Sequence, residues 1–119
     1  MPLLDFYAPE GPERVGFILL SGEMVEVENI YAAPNDGFSI STEDLIKYET
    51  LARATFHTHP GITSNLSGED YKAFKCWPSY THYIIGKDGV RSYSVNSGGV
   101  VICNEETDLP SRVFEGALP

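Results

Sequence analysis

The stretch that most constrains this chain is His57-Thr58-His59-Pro60 with the ten residues after it, Gly61 to Asp70. Successive side chains on a β-strand alternate between faces, so residues i and i+2 share one. On a strand, His57 and His59 present their imidazoles to a single point. Pro60-Gly61 ends such a strand. Ser67-Gly68-Glu69-Asp70 then shows the Ser-x-x-Asp pattern that starts many helices. Zinc takes imidazole nitrogen and carboxylate oxygen, and a catalytic zinc site uses three protein ligands with one position left for water. His57, His59 and Asp70 supply that set, with Ser67 one helical turn before Asp70 on the same side.

Each piece alone has an ordinary reading. A strand can carry two histidines as core or rim residues. Ser41-Thr42-Glu43-Asp44 repeats the Ser-x-x-Asp pattern with no histidine pair before it, so that pattern by itself marks only a helix start. The joint pattern carries the argument. A cap and a ligand are compatible: Ser67 can start the helix while Asp70 faces a metal.

The joint pattern resembles the JAMM (MPN-plus) metalloprotease signature: His-x-His, ten residues, then Asp, with Ser three before the Asp. His57, His59, Ser67 and Asp70 match it position by position. The family also carries a glutamate well upstream, in a Glu-x-x-Gly segment before a hydrophobic strand. Glu13-Arg14-Val15-Gly16 followed by Phe17-Ile18-Leu19-Leu20 corresponds to it. Many relatives have Cys where this chain has Val15, a position that is not a ligand. Asn29 to Pro34 and Phe38-Ser39-Ile40 are similar to the small prokaryotic and phage-tail members. The resemblance covers roughly residues 10 to 95.

Length and composition agree with a single domain. The chain has 119 residues, 42% of them hydrophobic and 12% aromatic, enough for a real core. We expect one domain over 1–119, with a core of about 12–103 and a C-terminal extension at 104–119. The net charge of −9 argues against nucleic acid or an anionic membrane as a partner. No run approaches the length of a membrane helix, and the first residues lack the basic and apolar regions of a signal peptide. A cytoplasmic setting, in a prokaryotic cell or a phage-infected host, is expected. Cys76 and Cys103 lack zinc-ribbon spacing and read as free, buried thiols.

Taken in order, residues 1–12 read as an irregular, weakly ordered lead-in broken by prolines. Val15 to Leu20 is a buried strand, and Met24 to Tyr31 its antiparallel partner. Ser41 caps a helix with apolar positions at Leu45, Ile46, Tyr48 and Leu51. Ala54 to His59 is the central strand, and the helix from Ser67 runs to about Cys76. Tyr71, Phe74 and Trp77 form a core-facing stripe on it. Thr81 to Ile85, Val90 to Val95 and Val100 to Cys103 form a meander, with a tight turn at Lys87-Asp88-Gly89. His82 reads as structural rather than as a ligand. The fold class is α/β: a central mixed sheet flanked by helices. The resemblance implies a JAMM-like domain related to the cytidine-deaminase architecture, although the deaminase zinc signature is absent.

For function, the resemblance implies a zinc metallopeptidase that hydrolyses a peptide or isopeptide bond with a metal-bound water. His57, His59 and Asp70 would hold Zn2+, Glu13 would be the general base, and Ser67 would stabilise the oxyanion. The expected substrate is a protein or peptide. Phage tail proteins or a ubiquitin-like protein are the partners considered. The short connections around the motif argue against dedicated deubiquitination. Two further readings stand beside this one. A non-catalytic phage assembly or scaffold protein could retain the JAMM fold, though such relatives usually lose a ligand. A structural zinc site would need a fourth ligand from His82, Cys76 or Cys103.

Overall fold

Val15-Gly16-Phe17-Ile18-Leu19 is apolar at every position, as suits a strand covered on both faces. In the computed structural model, which describes residues 3–104, it forms β1 (Val15–Leu19) in the interior of a sheet. β2 (Met24–Val27) returns beside it through the Leu20–Glu23 turn, antiparallel. After α1 (Thr42–Tyr48), β3 (Ala52–Thr58) pairs with the other side of β1, also antiparallel. α2 (Gly68–Cys76) then crosses over to β4 (Thr81–Gly86), which lies parallel to β3. β5 (Gly89–Val95) and β6 (Val101–Asn104) complete an antiparallel meander. The sheet is mixed and six-stranded, in the order β2-β1-β3-β4-β5-β6. The chain is thus an α/β domain with one helix before and one after the histidine strand, as expected. No helix among the described residues is long and apolar enough to cross a membrane.

The two faces of the sheet are covered by different means. On one, Phe17, Ala52 and Tyr80 pack with Leu45 and Tyr48 of α1, while Phe74 of α2 packs on Ile84 and Tyr93. On the other, Ile18, Ala54, Phe56, Tyr83 and Ile85 have no α-helix above them among the described residues. The N-terminal segment covers this face. Leu3–Phe6 is a 3-10 helix, Leu3 is fully buried, and Leu4, Phe6 and Tyr7 pack alongside it. The weakly ordered lead-in expected from the prolines is therefore corrected. A sheet face of this apolarity must be covered, and burying a leucine there contributes about 1.5–3 kcal/mol.

Other boundaries moved for identifiable reasons. β2 stops at Val27 rather than reaching Tyr31, because the Asn29 side chain captures backbone groups that a strand would need. Its Nδ2 donates to Glu13 O and Gly37 O, and its Oδ1 accepts from Tyr31 N and Ser39 N. Ile46 and Leu51 are exposed, so α1 buries a narrower stripe than the sequence pattern implied. On α2, Tyr71 is exposed while Asp70 and Phe74 are buried. Three-residue steps drift around a helix of 3.6 residues per turn, and the inward face follows i,i+4 instead. Both cysteines are unpaired as expected, but they are exposed rather than buried. His82 is structural: its Nδ1 lies 2.8 Å from Thr55 Oγ1 and its Nε2 3.0 Å from Trp77 O. The expected C-terminal extension, beyond Asn104, lies outside the described residues.

Gly16 has a steric role. A Cβ there would lie 2.5 Å from Phe56 Cζ and collide with the carbonyl oxygen of Val25 on the neighbouring strand. Gly68 faces open space at the start of α2. Gly16→Ala is expected to destabilise the domain by at least the upper end of the about 1–3 kcal/mol typical of overpacking. Gly68→Ala is expected to stay within about 0.5 kcal/mol of the parent. Urea unfolding midpoints at equal slope check both.

Candidate metal centre

The strand pairing assembles the site. Val15 on β1 stands opposite His57 on β3. One step outward, Arg14 N–H donates to Thr58 Oγ1 at 2.8 Å, and Thr58 N–H donates to Arg14 O at 2.9 Å. These bonds lay Glu13 beside the histidines at the rim of the sheet. Its backbone is tied further to Pro34 O and to the Asn29 side chain. Glu13, His57 and His59 are all buried, and their ligand atoms lie within 4.8 Å of one another. Among the described residues this cluster could hold a metal ion.

Asp70 reaches the same point from α2. It is the third residue of the helix, in a capping box with Ser67: Ser67 Oγ accepts from Asp70 N–H at 3.1 Å, and Asp70 Oδ2 accepts from Ser67 N–H at 3.0 Å. Asp70 Oδ1 lies 3.1 Å from His57 Nε2, and Oδ2 lies 3.0 Å from His59 Nε2. The two Nε2 atoms are 3.2 Å apart. Ligands about 2.0–2.1 Å from a tetrahedral zinc would be roughly 3.3 Å from each other. The two imidazole nitrogens have nearly that spacing, and each is met by a different oxygen of the Asp70 carboxylate.

The hydrogen bond on the far side of His59 sharpens the case. His59 Nδ1 is 2.9 Å from the carbonyl oxygen of Thr63. A carbonyl only accepts, so Nδ1 carries a proton. In the neutral ring, Nε2 then offers a lone pair toward the Asp70 carboxylate. Either a second proton on His59 or a cation must resolve that confrontation of acceptors. A metal-binding histidine commonly donates its other N–H to a carbonyl or carboxylate in this way.

The protonation balance is uneven. Burial pushes the Glu13 carboxyl up to about 7; His59 pulls it down, while Asp70 and Asp36 add to the rise. Burial also drives His57 down, against the hydrogen bond it makes to the Asp70 carboxylate. At His59 burial acts downward too, but Asp70, Thr63 and Glu13 outweigh it and the net shift is upward. Burial acts to raise Asp70, yet bonds from both histidines and the Ser67 amide hold it well below the usual carboxylate range. Asp70 is thus anionic across the neutral range, while Glu13 can take up or give away a proton near pH 7. His82 stands apart: burial brings it down to about 4, and both its nitrogens are engaged.

All five residues expected at the site come together. The Ser67 hydroxyl is exposed, and it uses a lone pair rather than its proton in the cap, so the proton can be donated outward. A groove of about 350 Å³ opens over Glu13, His59, Ser67 and Asp70, lined also by Tyr31, Phe38, Ile62 and Glu69. Phe38 packs on the His57 ring with centroids 4.6 Å apart. Three contributors escaped sequence reasoning: the Thr63 carbonyl, Phe38 over His57, and Asn29 behind Glu13. A backbone carbonyl leaves no residue-type signal, and the other two depend on a loop path. Asn29, a hydrogen-bonding residue set among strand formers, was the one available hint.

No protein-family model matches the sequence, and no curated protein matches it. Among solved structures the chain is similar to the solution structure of protein DSY2949 from Desulfitobacterium hafniense. The identity is 18%, the TM-score 0.60, and the match covers 86% of this chain and 84% of that one. At this identity the likeness concerns the fold alone.

The arrangement predicts one divalent ion per chain, measured by elemental analysis and calorimetry. Asp70→Ala is expected to weaken binding by more than the roughly 10–100-fold that loss of a supporting partner costs. Affinity is expected to rise with pH through the upward-shifted range of His59. Below it His59 holds a proton that the ion must displace, so binding releases protons and weakens as pH falls. Calorimetry in buffers of different ionisation enthalpy counts those protons.

Proposed function

We propose that this chain is a zinc-dependent metallopeptidase of the JAMM type, with His57, His59 and Asp70 as ligands, Glu13 as general base and Ser67 as oxyanion donor. The observation that carries this reading is the convergence of two Nε2 atoms 3.2 Å apart with the Asp70 carboxylate, Oδ1 3.1 Å from His57 and Oδ2 3.0 Å from His59, and with Glu13 buried alongside. Imidazole and carboxylate donors at tetrahedral spacing suit zinc. The finer fold assignment, a JAMM domain related to the cytidine-deaminase architecture, belongs to the same proposal. A histidine strand inside the sheet, followed by a helix that opens on Ser67-x-x-Asp70, supports it.

Zinc in this position supplies Lewis acidity, polarising a scissile carbonyl and making water more acidic. The protein's own groups do the rest. Glu13 accepts the proton of the attacking water and returns it to the leaving amine, a task suited to a carboxyl that titrates near neutrality. Ser67 donates its hydroxyl proton to the oxygen on which charge develops. Asp70 keeps its negative charge through the cycle. Phe38 shields one side of His57 from water. The groove of about 350 Å³ is within the size range of specific ligand sites.

Substrates follow as protein or peptide chains. A phage tail-assembly peptidase or a small prokaryotic peptidase is the setting proposed, with phage tail proteins or a ubiquitin-like protein as candidate partners. Exposed, unpaired Cys76 and Cys103 support a reducing, cytoplasmic location. The scaffold alternative is disfavoured because the Glu13, His57, His59, Ser67 and Asp70 side chains are all present and convergent.

Glu13→Gln is expected to keep the zinc and to lower peptide hydrolysis by about 10²–10⁴-fold. Ser67→Ala is expected to cost about 10²–10³-fold in turnover and, through the lost cap, about 1 kcal/mol of stability. Zinc content and cleavage of a degenerate peptide library, read by mass spectrometry, check both. Full hydrolysis by the Glu13→Gln protein would remove Glu13 from the mechanism. A zinc-loaded wild type that cleaves nothing while Glu13→Gln preserves biological function would favour the scaffold reading.

A further inference from the structure

Thr63 can orient His59 only if its own carbonyl is held still, and it sits in an irregular loop between β3 and α2. That loop is gripped by the β4–β5 hairpin. His59 N–H donates to Ile85 O at 2.8 Å, and Lys87 N–H donates to Ile62 O at 2.8 Å. Asp88, in the hairpin turn and 4% exposed, accepts the Ser64 N–H at 2.8 Å through Oδ1. Tyr93 on β5, 1% exposed, donates its hydroxyl to Ser64 O at 3.0 Å. The two peptide groups flanking Ser64 are therefore clamped from both sides. Gly86 closes the fit: a Cβ there would collide with Ser64 N and the Thr63 carbonyl carbon.

An aspartate buried to this degree is costly unless it is paired and hydrogen-bonded. Asp88 has the Ser64 amide and the Arg91 guanidinium, the latter at 3.6 Å through Oδ2. Ser64 itself offers no side-chain anchor, since its buried Oγ has no partner among the described residues. The loop is fixed through its backbone, next to the one carbonyl that touches a candidate ligand.

We propose that Asp88 and Tyr93 are positioning residues for the metal centre: by clamping Ser64 they place the Thr63 carbonyl, which holds His59 in the Nδ1–H tautomer with Nε2 aimed at Asp70 and His57. The functional consequence rests on the metal-centre reading above. The tautomer does not, because it is a property of the chain alone.

The test uses the full chain labelled with ¹⁵N-histidine, read first without metal and titrated upward in pH until the His59 ring, shifted above the ordinary histidine range, is neutral. Wild type and Asp88→Asn, which keeps an acceptor and drops the charge, are expected to show His59 as the Nδ1–H tautomer. Asp88→Ala and Tyr93→Phe are expected to show a mixture of tautomers and zinc dissociation constants raised about 10–100-fold. Folded variants that lose stability but keep the wild-type tautomer and affinity overturn the proposal, because that is the outcome of a merely structural role. If Asp88→Ala does not fold, Tyr93→Phe, which removes a single hydroxyl, decides the matter. A wild type that binds no zinc but shows a clamped tautomer would refute the peptidase reading and leave this one standing.

Discussion

Two parallel strands cannot be joined by a tight turn; the chain must leave the sheet, cross one face and return. β3 and β4 are the one parallel pair among the described strands, and the site follows from that requirement. The segment leaving β3 carries His59 past the strand's carboxyl end. The crossover helix α2 must begin close by, and its first turn presents Ser67 and Asp70. Carboxyl ends of strands in open α/β sheets are where ligands commonly bind. The antiparallel pairing of β1 with β3 runs β1's amino end to the same rim, which delivers Glu13. Three segments distant in sequence therefore reach one point through ordinary sheet connectivity.

The electrostatics divide two carboxylates between two roles. Asp70 stands at a helix N-terminus, faces two imidazoles and accepts a backbone amide, so its charged form is favoured. Glu13 is buried with Asp70 and Asp36 nearby, so its neutral form gains. Pairs of titratable groups pushed apart by their surroundings mark acid–base division of labour. His57 and His59 are unequal as well: His59 has the Thr63 carbonyl on its far nitrogen, and His57 has no such partner among the described residues.

How much of this could be read from the sequence depends on distance along the chain. His57, His59, Ser67 and Asp70 fall within fourteen residues of one another, and local periodicity was enough to group them. Glu13 is 44 residues from His57, and the residues alone left it a solvated glutamate; only the family resemblance joined it to the site. The strand and helix order was legible because β1 is an unbroken apolar run and β3, β4 and β5 carry β-branched and aromatic residues between turn residues. The cover formed by Leu3 to Tyr7 was not, because its cause is an uncovered sheet face assembled from β1, β3 and β4. Tyr71 misled for a local reason, as three-residue spacing resembles a helical stripe while drifting away from it. The cysteines misled because their residue type is usually buried, whereas Cys76 and Cys103 sit at a helix end and on an outer strand.

Asn29 links the groove to Glu13. Its single amide bonds the backbone of Glu13 on one side and of Tyr31, Gly37 and Ser39 on the other. The wall of the groove and the Glu13 carboxyl are consequently one mechanical part. On the peptidase reading proposed above, a peptide that pushed on that wall would also shift the proton acceptor, so fit and reactivity would not be independent variables. Poorly fitting chains would then be penalised twice, once in contact and once in the aim of the carboxylate.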